Sequence, residues 1–207
     1  MKEFWNEELT KKSWDALIEL NKRYKFILIG GWAVYLWSKS YKSKGIDIIV
    51  DYKELEKIKK AFTLIKNDNL KKFEVKQEFF DIDIYVPFYS KLTYPIEKII
   101  KEHTILDGFK IPKLETILIL KQGALISRKQ TIKGKKDEYD IILLLRSGFD
   151  LKEYLKLIKD IKKEELLKEL INTIRNLDPK DCDYFNTTFK ELSKWKKDNL
   201  ERLKVIK

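Results

Sequence analysis

Three aspartates with strand-like spacing are the residues of this sequence best suited to chemistry. Asp47 lies inside the apolar run IDIIV, and Asp81 and Asp83 share one face of the run FFDIDIYVPF, because strand side chains alternate with a period of two. A carboxylate buried in such a run is costly unless it pairs with a cation or holds a metal. Phosphoryl and nucleotidyl transfer use carboxylates in this way, since one or two of them hold the Mg²⁺ ion that contacts the substrate phosphates. Asp81 also suits a place at the strand start, facing water.

A glycine pair, Gly30-Gly31, joins the apolar run FILI to the helical pattern WAVYLWSK. Glycines between a strand and a helix let a ligand approach the backbone closely. The first amides of the helix then face an anion, which the helix dipole favours. The pair therefore predicts a phosphate site, although many such junctions are only turns.

The third pattern is K-x-x-A-x-x-x-R followed by K-D-x-x-D, in the second half of the chain. Lys121 and Arg128 share one helix face by their spacing, and so do Asp137 and Asp140. One interpretation is a cationic helix face turned toward a triphosphate. The other is a salt-bridged helix pair, for example between Arg128 and Asp140.

Apolar periodicity predicts the elements that must position these residues. An α/β part is expected over residues 1–113: a helix at 3–22, a strand at 26–29, a helix from Trp32, a strand at 46–50, a helix at 51–67, the strands FEVKQ and FFDIDIYVPF, and a hairpin HTILDGFKIP that turns at Asp107-Gly108. A helical part is expected over residues 114–207: a helix at 114–130, a basic connector TIKGKK, a helix DEYDIILLLRSG, and amphipathic helices at 150–176 and 185–203.

The charge balance of the 207 residues is strongly basic, with 44 Lys and Arg against 33 Asp and Glu. A net charge of +11 favours a polyanionic partner such as a nucleotide or nucleic acid; a lysine-rich surface without such a partner is the alternative.

The single His103 and the single Cys182 exclude a His-pair metal site, a cysteine zinc site and an intramolecular disulfide. No apolar run reaches the ~18 residues that span a membrane, and the start MKEFWNEELTKK is untypical of a signal peptide. We therefore expect a cytoplasmic protein without membrane contact.

Taken together, the three patterns resemble the nucleotidyltransferase superfamily, which has the polymerase-beta-like fold. GGWAVYLWSKSYKSKGIDIIVD resembles the glycine motif of that family with its following acid strand, and FFDIDIYVP resembles the strand with the third carboxylate. LILKQGALISRKQTIKGKKDEYDIILLL is similar to the helical segment of the AbiEii-type branch, which includes toxins of toxin–antitoxin systems. The resemblance covers residues 24–150.

The resemblance implies an α+β fold, with a mixed β-sheet, flanking helices and a C-terminal helical region. It implies transfer of a nucleotide from a nucleoside triphosphate to a hydroxyl group of tRNA, another RNA or a protein, with Mg²⁺ as cofactor and a cognate antitoxin as a further partner. By position, Asp47 and Asp83 match catalytic and metal-binding acids, with Asp81 as the alternative third acid. The residues matched to nucleotide binding are Gly30, Gly31, Lys44, Lys121 and Arg128.

Gly45 departs from the family pattern, which places the first metal-binding carboxylate at this position. Asp47 already fills the second place, and Asp51 lies about 13 Å further along an extended strand, so neither replaces the missing acid. The sequence therefore predicts an impaired nucleotidyltransferase. The alternatives are a non-catalytic relative that binds nucleotide or RNA, and an interaction protein such as one half of a toxin–antitoxin pair.

Overall fold

The computed structural model of the chain describes residues 4–204, and within them five strands form one mixed sheet. These strands are β1 (Ile27–Ile29), β2 (Ile46–Ile49), β3 (Ile65–Asn67), β4 (Lys72–Lys76) and β5 (Asp81–Tyr85). They lie in the order β1-β2-β5-β4-β3; the β2–β5 pair is parallel and the other pairs are antiparallel. A separate hairpin consists of β6 (His103–Leu106) and β7 (Phe109–Pro112).

Helices flank the sheet and make up the C-terminal region, which confirms the predicted α+β class. They are α1 (Glu7–Arg23), α2 (Gly30–Ser38), α3 (Tyr52–Ala61), α4 (Ile96–Lys101), α5 (Leu114–Arg128), α6 (Ile132–Arg146), α7 (Leu151–Asp160), α8 (Glu165–Asn176) and α9 (Phe189–Lys204), with a 3-10 helix at Pro179–Phe185. None of the helices in this described part is both long and apolar enough to cross a membrane. The predicted domain boundary at residue 113 falls between β7 and α5, and the division into two domains stays a prediction.

The interior strand β2 is buried because its isoleucines point into the core from both faces. Ile46, Ile48 and Ile49 are each 1% exposed, as expected for a strand covered on both sides. Asp47 is the polar residue of this strand, and helix α2 packs against it. The fold therefore places one carboxylate at the centre of an otherwise apolar strand.

Helices α5 and α6 pack against each other, and α2 contacts both of them. Their apolar residues, among them Ile117, Leu118, Ile141 and Leu144, join those of the sheet in one buried cluster. This packing brings basic and acidic residues of α5 and α6 to a cavity that Asp47 also lines.

The predicted helix at 51–67 is wrong at its C-terminal end, because α3 ends at Ala61 and Ile65–Asn67 forms β3. This edge strand pairs antiparallel with β4, and its sheet hydrogen bonds outweigh the helical spacing of the local sequence. The predicted helical region 150–176 contains two helices, α7 and α8. Lys162, whose φ of +54° is left-handed, lies between them.

The predicted connector TIKGKK is also wrong, because Ile132 already begins α6. The hydroxyl of Thr131 accepts a hydrogen bond from the amide of Gly134 at 3.0 Å, which caps the helix. A Cβ on Gly134 would lie 2.9 Å from the carbonyl oxygen of Lys129, so glycine permits the tight approach of α6 to the end of α5.

Two further boundaries differ from prediction. The predicted first helix starts at residue 3, which lies outside the described residues, and α1 begins at Glu7. The side chain of Asn6 caps it by accepting from the amide of Glu8 at 2.8 Å. In the predicted last helix at 185–203, Phe185 still belongs to the 3-10 helix and α9 begins at Phe189. The predicted hairpin is confirmed, with Asp107 and Gly108 both at positive φ in its turn.

Candidate functional site

Asp47 and Asp83 stand directly opposite each other on the adjacent parallel strands β2 and β5. Residues in register on neighbouring strands point to the same face, so the two carboxylates are close neighbours. Burial raises the pKa of Asp47 and the Asp83 carboxylate adds to this effect, bringing that pKa to about 6. The charged form of Asp47 is therefore unfavourable unless a nearby cation compensates it.

The glycine pair makes room for this acid. Gly30 is the first residue of α2 and has a φ of +68°, a conformation that glycine adopts without strain. A Cβ at this position would lie 2.6 Å from Cγ of Asp47, which no side chain tolerates. A Cβ on Gly31 would lie 2.9 Å from Cβ of Ser43 and 3.5 Å from Nζ of Lys136. Both glycines thus allow the start of α2 to lie close to Asp47 and Ser43.

A buried ionic network joins α5 to α6. Lys121 contacts Asp137 at 3.0 Å and Asp140 at 2.7 Å, and Lys136 contacts Asp140 at 2.9 Å. Arg128 donates two hydrogen bonds to Asp137, from Nε at 2.7 Å and from a terminal nitrogen at 3.0 Å. The salt-bridged helix pair of the second interpretation is therefore present, with Asp137 rather than Asp140 as the partner of Arg128.

The carboxylates keep the buried lysine charged. Burial lowers the pKa of Lys121, but Asp140 and Asp137 outweigh this effect, so its pKa is raised overall. Lys121 and Arg128 also favour the charged form of Asp47, against the effects of burial and Asp83. The cations of α5 thus act electrostatically on the acid of β2.

Two cavities meet at the aspartate pair. The smaller, of ≈ 210 Å³, is mainly polar and includes Gly31, Ser43, Lys44, Gly45 and Lys136 in its lining. The larger, of ≈ 520 Å³, has an apolar wall that includes Leu92, Ile117, Leu120 and Ala124, with Lys71 and Lys91 beside it. The residues that line both cavities are Asp47, Asp83, Lys121, Arg128 and Lys133. This arrangement provides a charged junction between a polar and a more apolar space.

Lys72 on β4 supplies a cation from the sheet itself. Its ammonium group lies 2.5 Å from Oδ2 of Asp83 and 3.0 Å from Oε1 of Glu74. Burial lowers the pKa of Lys72, but the bonds to these two carboxylates outweigh it and raise the pKa overall. Asp83 is therefore already paired with a charged lysine, unlike Asp47, which meets its cations at longer range.

Two carboxylates beside the cavities are available to a divalent cation such as Mg²⁺. Gly45 contributes no side chain, and a Cβ built on it would meet Asp81 only at van der Waals distance, 3.7 Å from its carbonyl oxygen. Asp47 and Asp83 remain as carboxylate donors, which suffices for Mg²⁺ when phosphates and water complete its octahedral coordination. Within residues 4–204, no group of three or more His, Cys, Asp or Glu side chains is arranged to hold a metal ion.

The remaining predicted residues lie around this centre. Asp81 stands at the start of β5 with a side chain 49% exposed and bonds to Lys76 at 3.0 Å, so Asp83 is the acid beside Asp47. Lys44 is exposed on the rim of the smaller cavity.

Sequence reasoning missed Lys72, Lys133 and Ser43. The alternation of Lys72, Glu74 and Lys76 along one face of β4 was a readable signal, but it does not identify the acid across the sheet.

Comparisons with known proteins give little about this site. No family model matches the chain, and no curated protein matches it. Among solved structures, the crystal structure of JHP933 from Helicobacter pylori is similar, with 18% identity over 95% of each chain and a TM-score of 0.46. A likeness of this size carries no argument about function.

Proposed function

We propose that the chain binds the triphosphate of a nucleotide at the junction of the two cavities, as a nucleotidyltransferase-type protein weakened by Gly45. The observation that carries the proposal is the pairing of Asp47 and Asp83 in register, with Arg128 and Lys133 beside them. Acids that hold a divalent cation and side chains that bind phosphate directly are the two parts that such a site needs.

The smaller cavity suits the phosphates. Lys44, Lys133 and Lys136 line it, and the start of α2 reaches it through Gly31. Amides at a helix start and lysine ammonium groups both favour anions. A polyphosphate in this cavity would have cations on several sides, and the aspartates would meet it through a bound cation.

The larger cavity suits the nucleoside or the acceptor. Its volume of ≈ 520 Å³ lies in the range of ~300–1,000 Å³ that is usual for small-molecule sites. Leu92, Leu120 and Ala124 offer apolar surface to a base, and Ser127 offers a hydroxyl. Lys71 and Lys91 on its wall would favour an acceptor that carries phosphates, such as tRNA or another RNA.

The associated reaction is nucleotidyl transfer to a hydroxyl group. The acceptor oxygen forms a bond to the α-phosphorus, and the bond from that phosphorus to the bridging oxygen breaks. Pyrophosphate leaves with the electron pair, and the hydroxyl proton passes to water. A Mg²⁺ ion held by Asp47 and Asp83 would neutralise phosphate charge, while Arg128 and Lys133 orient the phosphates. The reaction would take place in the cytoplasm, where nucleoside triphosphates are available.

Gly45 favours a second candidate function, binding without transfer. A site with two carboxylates holds its metal less firmly than one with three, and each ~1.4 kcal/mol of lost transition-state stabilisation slows the reaction about tenfold. A nucleotide- or RNA-binding protein, or one half of a toxin–antitoxin pair, would keep the binding pocket but would not need a fast transfer reaction.

Calorimetric titration with the four ribonucleoside triphosphates, with and without Mg²⁺, tests the proposal. Wild-type protein is expected to bind at least one of them in a Mg²⁺-dependent way, and Gly45→Asp is expected to bind it about tenfold more tightly. Gly45→Asn, which adds the same shape without the charge, is the matched control and should not tighten binding. Absence of triphosphate binding in both wild type and Gly45→Asp would overturn the proposal.

Pyrophosphate release then separates the two candidate functions. With RNA as acceptor, Gly45→Asp is expected to release pyrophosphate faster than wild type if transfer is the associated reaction. Tight triphosphate binding without release in either protein would favour the binding-only function and a protein partner such as an antitoxin.

A further inference from the structure

Lys72 contacts Asp83 directly, yet the proposed reaction gives it no role. Its side chain is 11% exposed, and its ammonium group is held between Asp83 at 2.5 Å and Glu74 at 3.0 Å. Glu74 is fixed in turn, because Lys76 contacts its other carboxylate oxygen at 3.1 Å and Asn67 donates to Oε1 at 3.0 Å. Lys72 is therefore a buried charge held in a defined place beside the cleft.

We propose that Lys72 is a built-in cation of the site, a positioning residue that limits the aspartate pair to a single divalent ion. The ammonium group stands at Asp83 in the place of a second metal, so that the phosphate ligand meets one metal and one lysine. The nature of that ligand rests on the proposed function, whereas the metal count does not.

The available oxygen atoms support this limit. Oδ2 of Asp83 accepts from Lys72, and Gly45 brings no oxygen from its side chain. Within the aspartate pair, the carboxylate oxygens left for metal are both oxygens of Asp47 and Oδ1 of Asp83. Two ions ~4 Å apart, as in two-metal sites, are held by carboxylates that both ions share, and this set is too small for such an arrangement.

The charges support it as well. A second divalent ion at Asp83 would lie close to the Lys72 ammonium group, and like charges at a few ångströms repel strongly away from bulk water. The strand register keeps them together, because Glu74 on β4 stands opposite Asp83 on β5. Glu74 thus holds the ammonium group of Lys72 beside Asp83 through a second contact, at 3.0 Å.

Mn²⁺ binding without nucleotide tests the inference on the full chain. Electron paramagnetic resonance gives the number of bound ions and their affinity for wild type, Lys72→Met and Lys72→Arg. Wild type is expected to bind one ion per chain. Lys72→Met is expected to bind Mn²⁺ at least about tenfold more tightly, because a positive charge is removed and Asp83 is released. Lys72→Arg keeps the charge and should resemble wild type.

Lys76→Met is the matched control. Lys76 lies on the same strand and contacts the same Glu74, but its side chain is 52% exposed and its second carboxylate partner is Asp81, not Asp83. This variant removes the same charge and should leave Mn²⁺ affinity near that of wild type. Circular dichroism checks that each variant is folded, and Lys72→Gln replaces Lys72→Met if the latter does not fold.

Several results would overturn the inference: two Mn²⁺ ions on wild type, unchanged affinity in Lys72→Met, or an equal gain in Lys76→Met. If no Lys72 variant folds, the wild-type count decides, since one bound ion supports the inference and two ions or none contradict it. Failure of the proposed function looks different, because it would be loss of triphosphate binding while the Mn²⁺ results stand.

Discussion

The side chain of Asp47 fills the space that a side chain at Gly30 would need: a Cβ on the glycine would lie 2.6 Å from Cγ of the aspartate. The residue that begins α2 is therefore dictated by an acid on the neighbouring strand. The positive φ of Gly30, +68°, is a second reason for glycine at this position.

Gly30→Ala should destabilise the protein more than Gly108→Ala does. Both glycines have positive φ, +68° and +79°, so both substitutions carry the left-handed cost of about 1–2 kcal/mol. Only Gly30→Ala also displaces the Asp47 carboxylate, since none of the described residues comes within 4 Å of a Cβ on Gly108. Urea unfolding measures the difference, and equal losses would contradict the steric argument.

Asp47→Asn should stabilise the fold at pH 7.5, on the order of 1 kcal/mol, and abolish Mg²⁺-dependent triphosphate binding. The native pKa of about 6 is raised above 3.8 by burial and then by Asp83, so the charged form destabilises the native state above pH 6. As the pH falls from about 6 toward 3.8, native Asp47 takes up a proton and the gain should shrink.

Thermal unfolding of wild type and Asp47→Asn between pH 4 and 8 checks this dependence. Asp81→Asn is the control, because its exposed carboxylate lies outside the strand core. A gain for Asp47→Asn that stays constant with pH would show that the titration of Asp47 is not its source.

Asp137→Asn should lower the free energy of unfolding by about 3–5 kcal/mol, the usual loss when a buried ion pair loses one partner. Asp137 accepts from both Lys121 and Arg128, and its side chain is 1% exposed. Guanidinium unfolding measures the loss. Glu8→Gln breaks the surface pair with Lys12 and should change stability little; comparable losses in both variants would contradict the role of burial.

Glu74→Gln should lower stability at neutral pH by about 1–3 kcal/mol and make the protein less sensitive to acid. Burial raises the pKa of Glu74, but bonds from Lys72, Asn67 and Lys76 outweigh it and bring the pKa to about 2. Wild type should therefore lose the contribution of Glu74 as the pH falls from 4.5 toward 2.

Unfolding midpoints measured from pH 7 to pH 2.5 should therefore converge for wild type and Glu74→Gln at the acid end. Two parallel curves would show that the charge of Glu74 does not contribute.

The sequence revealed the strands with strong local patterns and missed those that depend on distant partners. The apolar runs around Asp47 and Asp83 predicted β2 and β5, and Asp107-Gly108 predicted the hairpin turn. Edge strand β3 escaped prediction because it is short, Ile65 is 47% exposed, and its pairing with β4 is not encoded in its own spacing. Thr131 as a cap for α6 was locally readable, but the basic residues after it suggested a loop.

In the candidate site, too, local patterns were readable and contacts between distant segments were not. Its acids and the cations of α5 were found from spacing, whereas the partner of Arg128 was placed one helix turn too far along α6. Lys72 was overlooked because its importance depends on its contact with Asp83. That contact is formed by the pairing of β4 with β5, which local spacing does not reveal. Spacing identifies which residues share a face, and the strand register decides which faces meet.

The open space at Gly45 has an evolutionary consequence. Its backbone is outside the left-handed region, and a Cβ there meets only an ordinary contact at 3.7 Å, so neither strain nor crowding requires glycine. Folding therefore exerts little selection on position 45, in contrast to Gly30. Under the proposed function, selection on the ligand decides what stands at this position, and a single substitution there would change metal affinity without any repacking of the core.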